Sequence, residues 1–479
     1  MNRTPFWPAR RRMRAGAVLP TAGVLVTMLA TPLGAQAGGA PMGAAAPDGF
    51  RYASDKPSGT IAFTGARIVT MNGDTVLDDG TIVVTGNRIT AVGPSASVTV
   101  PAGATRIDAR GKTITPGFVD CHWHGSMGSE GLIPQRSWID AASLAFGVTT
   151  LHDPSNDSYE IFTHSEMQRA GLVLAPRIFS TGTILYGAKA PFHADVDSLG
   201  DALMHLRRMQ AYGAYSVKSY NQPRRDERQQ VLEAARQLGM CVVPEGGALF
   251  PHNMTMVIDG HTGVEHALPI AHVYDDVVQL WSGTKVGYTP TFNVAYGGLD
   301  GEHYWYAKTP VWADERLQRF VPRRILDARA RRPQTAPDNE WNHITVAQEA
   351  TKLNRAGVGV QIGAHGQREG LGAHWEIWSL VLGGMTPLEA LRCATIGGAR
   401  YLGYDRDLGS LEPGKLADLL VFDRDPLTDI RQTASLSRVM LNGRLYDAST
   451  LDEIAPRARK RGSFWWEAEQ REEAAAVGR

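Results

Sequence analysis

Between residues 61 and 107 apolar and polar side chains alternate in short runs, at 61–64, 67–71, 81–85 and 88–92, separated by Gly65-Ala66, Asn72-Gly73 and Gly86-Asn87. Period-two alternation broken by Asn-Gly-type turns predicts a small β meander of four or five strands. Matching runs return far along the chain at 414–423 and 437–444. Between them, from 118 to 403, short β-branched runs alternate with helical patterns. Strands are predicted to end near His124, His152, Ser180, Ser219, Glu245, His266, Thr291 and Ala364, with helices at 199–212, 226–238 and 345–356, the last closed by Gly357. Eight strands alternating with helices predict an α/β fold, a (β/α)8 TIM barrel, inserted into a small β-sandwich built from both chain ends.

The boundaries follow from composition. Residues 1–37 carry Arg3, Arg10, Arg11, Arg12 and Arg14, then an acid-free apolar stretch ending at Ala35-Gln36-Ala37, which reads as a cleavable secretory signal and places the protein in the periplasm or outside the cell. A Gly-, Ala- and Pro-rich lead-in covers 38–57. The sandwich then takes 58–115 and 404–448, the barrel 116–403, and a charged tail with Phe464-Trp465-Trp466 the remaining 449–479, as a docking helix or an exposed end. The 297–341 stretch, with Tyr304-Trp305-Tyr306 and the basic run 323–332, is placed to overhang the barrel mouth as a lid or substrate wall, or to form a solvated surface helix.

The chain of 479 residues has 49 basic and 49 acidic side chains; without the five leader arginines the balance is 44 to 49, a net charge of −5. Such a surface gives no footprint for nucleic acid. No second apolar run is long enough to span a bilayer. Three widely spaced cysteines, Cys121, Cys241 and Cys393, make no disulfide framework and read as small apolar residues. A small-molecule substrate and self-association as a homo-oligomer are the partners expected.

The chemistry centres on Gly117-Phe118-Val119-Asp120-Cys121-His122-Trp123-His124-Gly125. On a strand His122 and His124 project to the same face, which makes a two-imidazole grip on a metal ion or a buried polar pair. Further motifs narrow this: Gly147-Val148-Thr149-Thr150, Gly363-Ala364-His365-Gly366, Gly384-Met385-Thr386-Pro387-Leu388-Glu389-Ala390-Leu391 and Gly409-Ser410-Leu411-Glu412-Pro413-Gly414-Lys415-Leu416-Ala417-Asp418. With these, residues 58–448 resemble the amidohydrolase superfamily of metal-dependent hydrolases, in particular the exported group similar to imidazolonepropionase and prolidase-like enzymes.

The resemblance implies a site. His122 and His124 correspond to ligands of the more buried metal, His266 to the strand-six ligand, and Lys218 to a strand-four lysine that takes up carbon dioxide to form a carbamate able to bridge two metals, probed against the alternative of a surface lysine. Two positions depart from the usual pattern. Glu245 stands where strand five usually has histidine, as a metal ligand or as a partner holding one. His365 stands where strand eight usually has the aspartate that takes the proton, as ligand or as catalytic proton carrier. Two divalent metals, zinc with manganese as the alternative, are implied. Asp153, His193 and Glu369 are reserve candidates. Tyr186, Tyr220 and Arg224 lie past predicted strand ends as substrate contacts, although Arg224 and Arg225 also suit the solvated start of a helix; Trp123, Tyr304, Trp305 and His374-Trp375 point to an apolar or aromatic leaving group. The implied activity is hydrolysis of an amide or peptide-type C–N bond in a dipeptide or N-acyl amino acid. Opening of a cyclic amide or lactone, deamination, and a non-catalytic metal-binding protein are the competing readings.

Overall fold

The computed structural model describes residues 55–187, 194–220, 222 and 224–467. The expected leader and most of the lead-in lie outside the described residues, as do His193 and the last part of the tail. Among the described residues no helix is long and apolar enough to cross a membrane.

The N-terminal meander is present as β1 (Thr60–Val69), β2 (Val76–Thr85), β3 (Arg88–Pro94), β4 (Thr105–Asp108) and β5 (Thr113–Pro116). One expected turn is not a turn: β1 runs straight through Gly65-Ala66, and its register against β2 shifts there as a bulge. Gly65 sits at φ +77, and a Cβ on it would lie 2.5 Å from Arg110 Cγ, so a bulge rather than a chain reversal uses this glycine.

The middle strands are β6 (Phe118–Asp120), β7 (Val148–Asp153), β8 (Arg177–Ser180), β9 (Leu185–Tyr186), β10 (Ser216–Tyr220), β11 (Cys241–Pro244), β12 (Gly263–Glu265) and β13 (Gly287–Thr289). All pair in parallel, as β6–β7–β8, β9–β10–β11 and β12–β13. Parallel bridges carry the pairing onward, Glu245 to Glu265 from β11 to β12, and Tyr288 to Val360 from β13 to the segment before Ala364. The amide of Cys121 then donates to the carbonyl of Ile362 at 3.0 Å, returning the pairing to β6. The eighth expected strand is therefore held by single bridges rather than as a regular strand.

Helices connect these strands as the pattern predicts. The helix expected at 199–212 is Leu199–Tyr212, ended by Gly213 at φ 106, and that expected at 226–238 is Arg225–Leu238. The third starts three residues early, as Asn342–Arg355, with Gly357 at φ +102 just beyond it.

The far end supplies β14 (Leu419–Phe422), β15 (Leu436–Leu441), β16 (Arg444–Asp447) and β17 (Glu453–Ala455). Both chain ends meet in one nine-stranded sheet, ordered β17-β16-β15-β14-β5-β1-β2-β3 with β4 on β1. The seam is the antiparallel pair β5–β14, with Thr113 opposite Phe422 and Pro116 opposite Leu419. Residues from both ends, among them Phe63, Ile68, Ile114, Leu419 and Met440, share one buried cluster.

The 297–341 stretch is partly core and partly surface: the arginines of its basic run 323–332 are exposed, while apolar residues of its helices are buried. It forms helices Gly301–Lys308, Glu315–Phe320 and Arg323–Ala330, whose Trp305, Leu317, Phe320 and Leu326 join the main core. Trp305 packs on Trp378 at 5.3 Å and donates its indole N–H to Ser379 at 3.2 Å. The tail docks through residue 467: Phe464 and Trp466 are buried, stacked at 4.3 Å, with Arg461 over the Phe464 ring. The three cysteines are free; Cys121 and Cys393 are buried and Cys241 is partly so.

Candidate metal centre

Where β6 ends, His122 and His124 enter a cluster with Lys218 on β10, Glu245 after β11, His266 after β12 and His365 after the eighth segment. Two donor groups share His122: one is His122, His124 and His365, the other His122, Glu245 and His266, the candidate ligand atoms in each lying within 4.8 Å of one another. Lys218 Nζ is 2.6 Å from Glu245 Oε2, and His266 Nε2 is 2.8 Å from Glu245 Oε1. The six side chains that the sequence singled out as ligands and proton carrier are thus brought together.

The backbone that aims them is bent by design of the strand ends. His266, Thr291 and His365 have φ of 71, 59 and 48 in the order His266, His365, Thr291, all in the left-handed region that costs a branched or bulky residue energy. At His266 this breaks the strand alternation, so adjacent Glu265 and His266 both reach the cluster. Asp120 ties the ends together: its Oδ1 accepts from the Ala364 amide at 3.0 Å and the His122 amide at 3.3 Å, while burial pushes its carboxyl up to about 7. The His365 amide donates to the His122 carbonyl at 2.6 Å.

The imidazole tautomers follow from their partners. His122 Nδ1 is 2.6 Å from Glu265 Oε2, and His124 Nδ1 is 3.1 Å from Asp153 Oδ1. Where Glu265 and Asp153 are ionised they accept from these rings, so both Nδ1 atoms carry the proton and both Nε2 atoms present lone pairs. Those Nε2 atoms face each other at 3.1 Å. Two lone pairs that close repel unless a cation lies between them, and this donor set of imidazoles and carboxylate suits zinc or manganese. His266 Nδ1 contacts Thr291 Oγ1 at 2.8 Å, which leaves its Nε2 for the cluster. Although close to their ion-pair partners, Glu245 Oε2 and His266 Nε2 make no hydrogen bond of acceptable geometry, and neither does His365 Nδ1. Several buried donor atoms left without a hydrogen bond within one cluster of imidazoles and carboxylate fit a bound metal.

Electrostatics agree with that geometry. Burial, then the charge of Lys218, holds His122 far below the usual histidine range, and burial with neighbouring His124 and His266 brings His365 down to about 2. Burial would raise the Glu245 carboxyl, but Lys218 and His266 outweigh it and bring it down to about 2. Burial pushes Glu265 up to about 8 against donors from Tyr401 and Thr289.

The remaining sequence candidates divide. Asp153 is the partner of His124 and also accepts from Ser155 and Asn156. Glu369 pairs with buried Arg368 at 2.6 Å. Tyr186 and Tyr220 stack at 5.2 Å, and the Tyr220 ring centre is 5.4 Å from Lys218 Nζ. Arg224 is instead the exposed start of the helix Arg225–Leu238, paired with Asp197 at 3.1 Å and Glu227 at 2.9 Å. Its partners include a first-turn acid of its own helix, so it is held along the helix start. Trp123, Trp305, His374 and Trp375 are buried in the core and Tyr304 packs on Trp305, so these aromatics fill the interior rather than a leaving-group pocket. The sequence did not single out Glu265, Thr291, Tyr401 or Tyr296. The last stacks on His266 at 5.2 Å and has its hydroxyl toward Glu245.

Comparison with known proteins gives a consistent picture. Residues 374–446 match the model of the amidohydrolase family. Over 419 residues, 80% of this chain and 92% of the relative, the sequence is 26% identical to a 5-methylthioadenosine/S-adenosylhomocysteine deaminase of Pelotomaculum thermopropionicum. It is 24% identical over 385 residues to an imidazolonepropionase of Geobacillus thermodenitrificans, covering 74% of this chain and 86% of that one. In fold it is similar to a Xaa-Pro dipeptidase with bound methionine in the active site, with a TM-score of 0.62, 20% identity, and coverage of 81% of this chain and 100% of the other.

Proposed function

We propose that this chain, in which residues 374–446 match the amidohydrolase family model, is an amidohydrolase-type hydrolase that cleaves an amide or peptide-type C–N bond in a small molecule such as a dipeptide or N-acyl amino acid. The parallel strands and their intervening helices are then a (β/α)8 barrel, the two-ended sheet the sandwich that carries it, and 1–37 an export leader. The observation that carries the reading is the pair of facing Nε2 atoms of His122 and His124, 3.1 Å apart with both Nδ1 protons held on carboxylates.

His122, His124 and His365 would hold one ion, and His122, Glu245 and His266 the second, with a carbamate on Lys218 facing both. When bound, such ions polarise the scissile carbonyl and lower the pKa of water from 15.7 to about 7. The chain's own groups do the rest. His365 acts as a ligand: no carboxylate or carbonyl holds its Nδ1, whereas a histidine that carries protons is usually oriented by such a partner. Glu245 would help hold an ion through one carboxylate oxygen and use the other to take the proton from water and hand it to the leaving nitrogen. Asp153 and Glu265 fix the His124 and His122 rings. Tyr296 and Tyr220 flank the approach.

The test is metal analysis combined with a panel of N-acyl amino acids, dipeptides, cyclic amides and aminopurines. Bound metal with turnover on the open-chain amides supports the reading. Turnover confined to cyclic amides or amino-purines transfers the assignment to ring opening or deamination, and bound metal without turnover to a metal-binding protein. His122→Ala must lose both metal and activity; unchanged values for that variant end the proposal.

A further inference from the structure

We propose that Tyr186, Tyr220 and Tyr296 form a stacking wall at the mouth of the metal centre, which selects substrates carrying a flat aromatic group beside the scissile bond. This rests on the hydrolase reading above and specifies the substrate class of the same site.

Two rings from separate parts of the chain meet the cluster, and a third stacks on one of them. Tyr220 ends β10, with its ring centre 5.4 Å from Lys218 Nζ, and Tyr186 ends β9 and stacks on it at 5.2 Å with 25° between the planes. Tyr296 enters from the segment after β13 and lies on His266 at 5.2 Å with 27° between the planes. The Tyr296 hydroxyl faces Glu245, the group assigned the proton, and burial with Glu245 beside it pushes that hydroxyl up. None of the three is fully buried, and Tyr296 is 36% exposed. Tyr220 and Tyr296 thus each lie beside a donor of the cluster, and all three rings keep part of their surface exposed.

A tyrosine is a rigid, flat apolar surface with few torsions to freeze, and aromatic partners stack on it in offset geometry. An aliphatic group gains less from such a face. The other aromatics near the chain's site motifs cannot supply the surface, because Trp123, Trp305 and Trp375 are packed inside the core. The wall is also placed where a side group must lie, since Lys218, Glu245 and His266 carry the three contacts with the rings and also line the cluster. Arg224, the expected anchor for a substrate carboxylate, is engaged with Asp197 and Glu227.

The experiment compares N-benzoylglycine with N-acetylglycine on the metal-loaded full chain, by steady-state kinetics and by calorimetric binding, for the native protein and for Tyr220→Ala, Tyr296→Ala and the two Tyr→Phe variants. The expected result is KM and Kd about tenfold lower for the benzoyl compound. Each alanine variant should erase most of that difference, raising the benzoyl KM more than the acetyl KM, while each phenylalanine variant retains it. Equal affinity of the native protein for both compounds, or equal losses on both in the alanine variants, overturns the wall. Should neither compound be hydrolysed, the calorimetric arm still decides: an aromatic preference lost in the alanine variants upholds the wall while the hydrolase reading falls, and no preference sinks the wall.

Discussion

Lys218 Nζ and Glu245 Oε2 stand 2.6 Å apart in a nearly dry site, an ammonium against a carboxylate. Conversion of the lysine to a carbamate replaces this attraction with two anions side by side, which only cations between them can hold. Carbamate and metal are therefore expected to arrive together. Metal-free protein prepared without carbon dioxide should regain activity with zinc only when bicarbonate is added, and its intact mass should then rise by one carbon dioxide. Lys218→Ala should lose activity on the order of 10²-fold or more, with partial rescue by acetate or propionate. Full reactivation by zinc alone would rule the carbamate out.

His365 and Glu245 are separable by what their removal costs. His365→Ala should lower metal content, since an imidazole leaves the group it forms with His122 and His124. Glu245→Gln should keep metal through its remaining oxygen while turnover falls roughly 10²–10⁴-fold, the usual loss for a proton carrier. Metal content by elemental analysis, beside kcat, checks both. A His365→Ala protein with full metal and no turnover would return the proton to His365.

Gly366 has φ +69, and a Cβ on it would lie 1.9 Å from the carbonyl oxygen of His124. Gly366→Ala should therefore push the His365 loop off the His122–His124 segment. Metal affinity measured by chelator competition should fall about 10–100-fold, with a loss of roughly 1–3 kcal/mol of stability. An alanine variant with native metal affinity would show that this loop does not hold the cluster.

Glu389 closes a capping box with Thr386 and pairs with Arg355 through both oxygens, at 3.1 and 3.0 Å. The Arg355 hydrogen bonds, more than any other contact, pull its carboxyl from 4.5 down to about 2. A carboxylate whose folded pKa lies below the unfolded one stabilises the protein above pH 4.5, and that contribution is lost as the pH falls toward 2. Glu389→Gln should cost about 1 kcal/mol at pH 7, and the gap to the native protein should shrink between pH 4.5 and 2. Denaturant melts at pH 7 and pH 3 test this; a gap that does not narrow would contradict it.

The sequence made the parallel strands, their helices and the six side chains of the cluster legible because each sits at the end of an apolar run, where a polar residue stands out. What stayed hidden has a common cause. Glu265 and His266 are neighbours, and alternation along a strand would send them to opposite faces; the left-handed backbone at His266 is what turns both inward, and a histidine gives no sign of it. Tyr296 comes from a long connection without period, and only the chain path sets it on His266. Arg224 was readable both as substrate anchor and as helix start, and the acids at 197 and 227 decided for the latter. Trp305 and Trp375 showed the opposite problem: aromatics beside a site motif look like ligand contacts, and helix packing takes them into the core. Gly65 was read as a reversal when its freedom serves a bulge.

The seam between β5 and β14 sets an order of events during synthesis. Residues 113–116 find their neighbours at 419–422 only after the entire intervening stretch has been made. Until then β5 exposes unpaired amides and carbonyls along one edge, an invitation to association with another chain. The nascent protein is therefore most vulnerable to aggregation late, and shortening it before β14 leaves that edge open permanently.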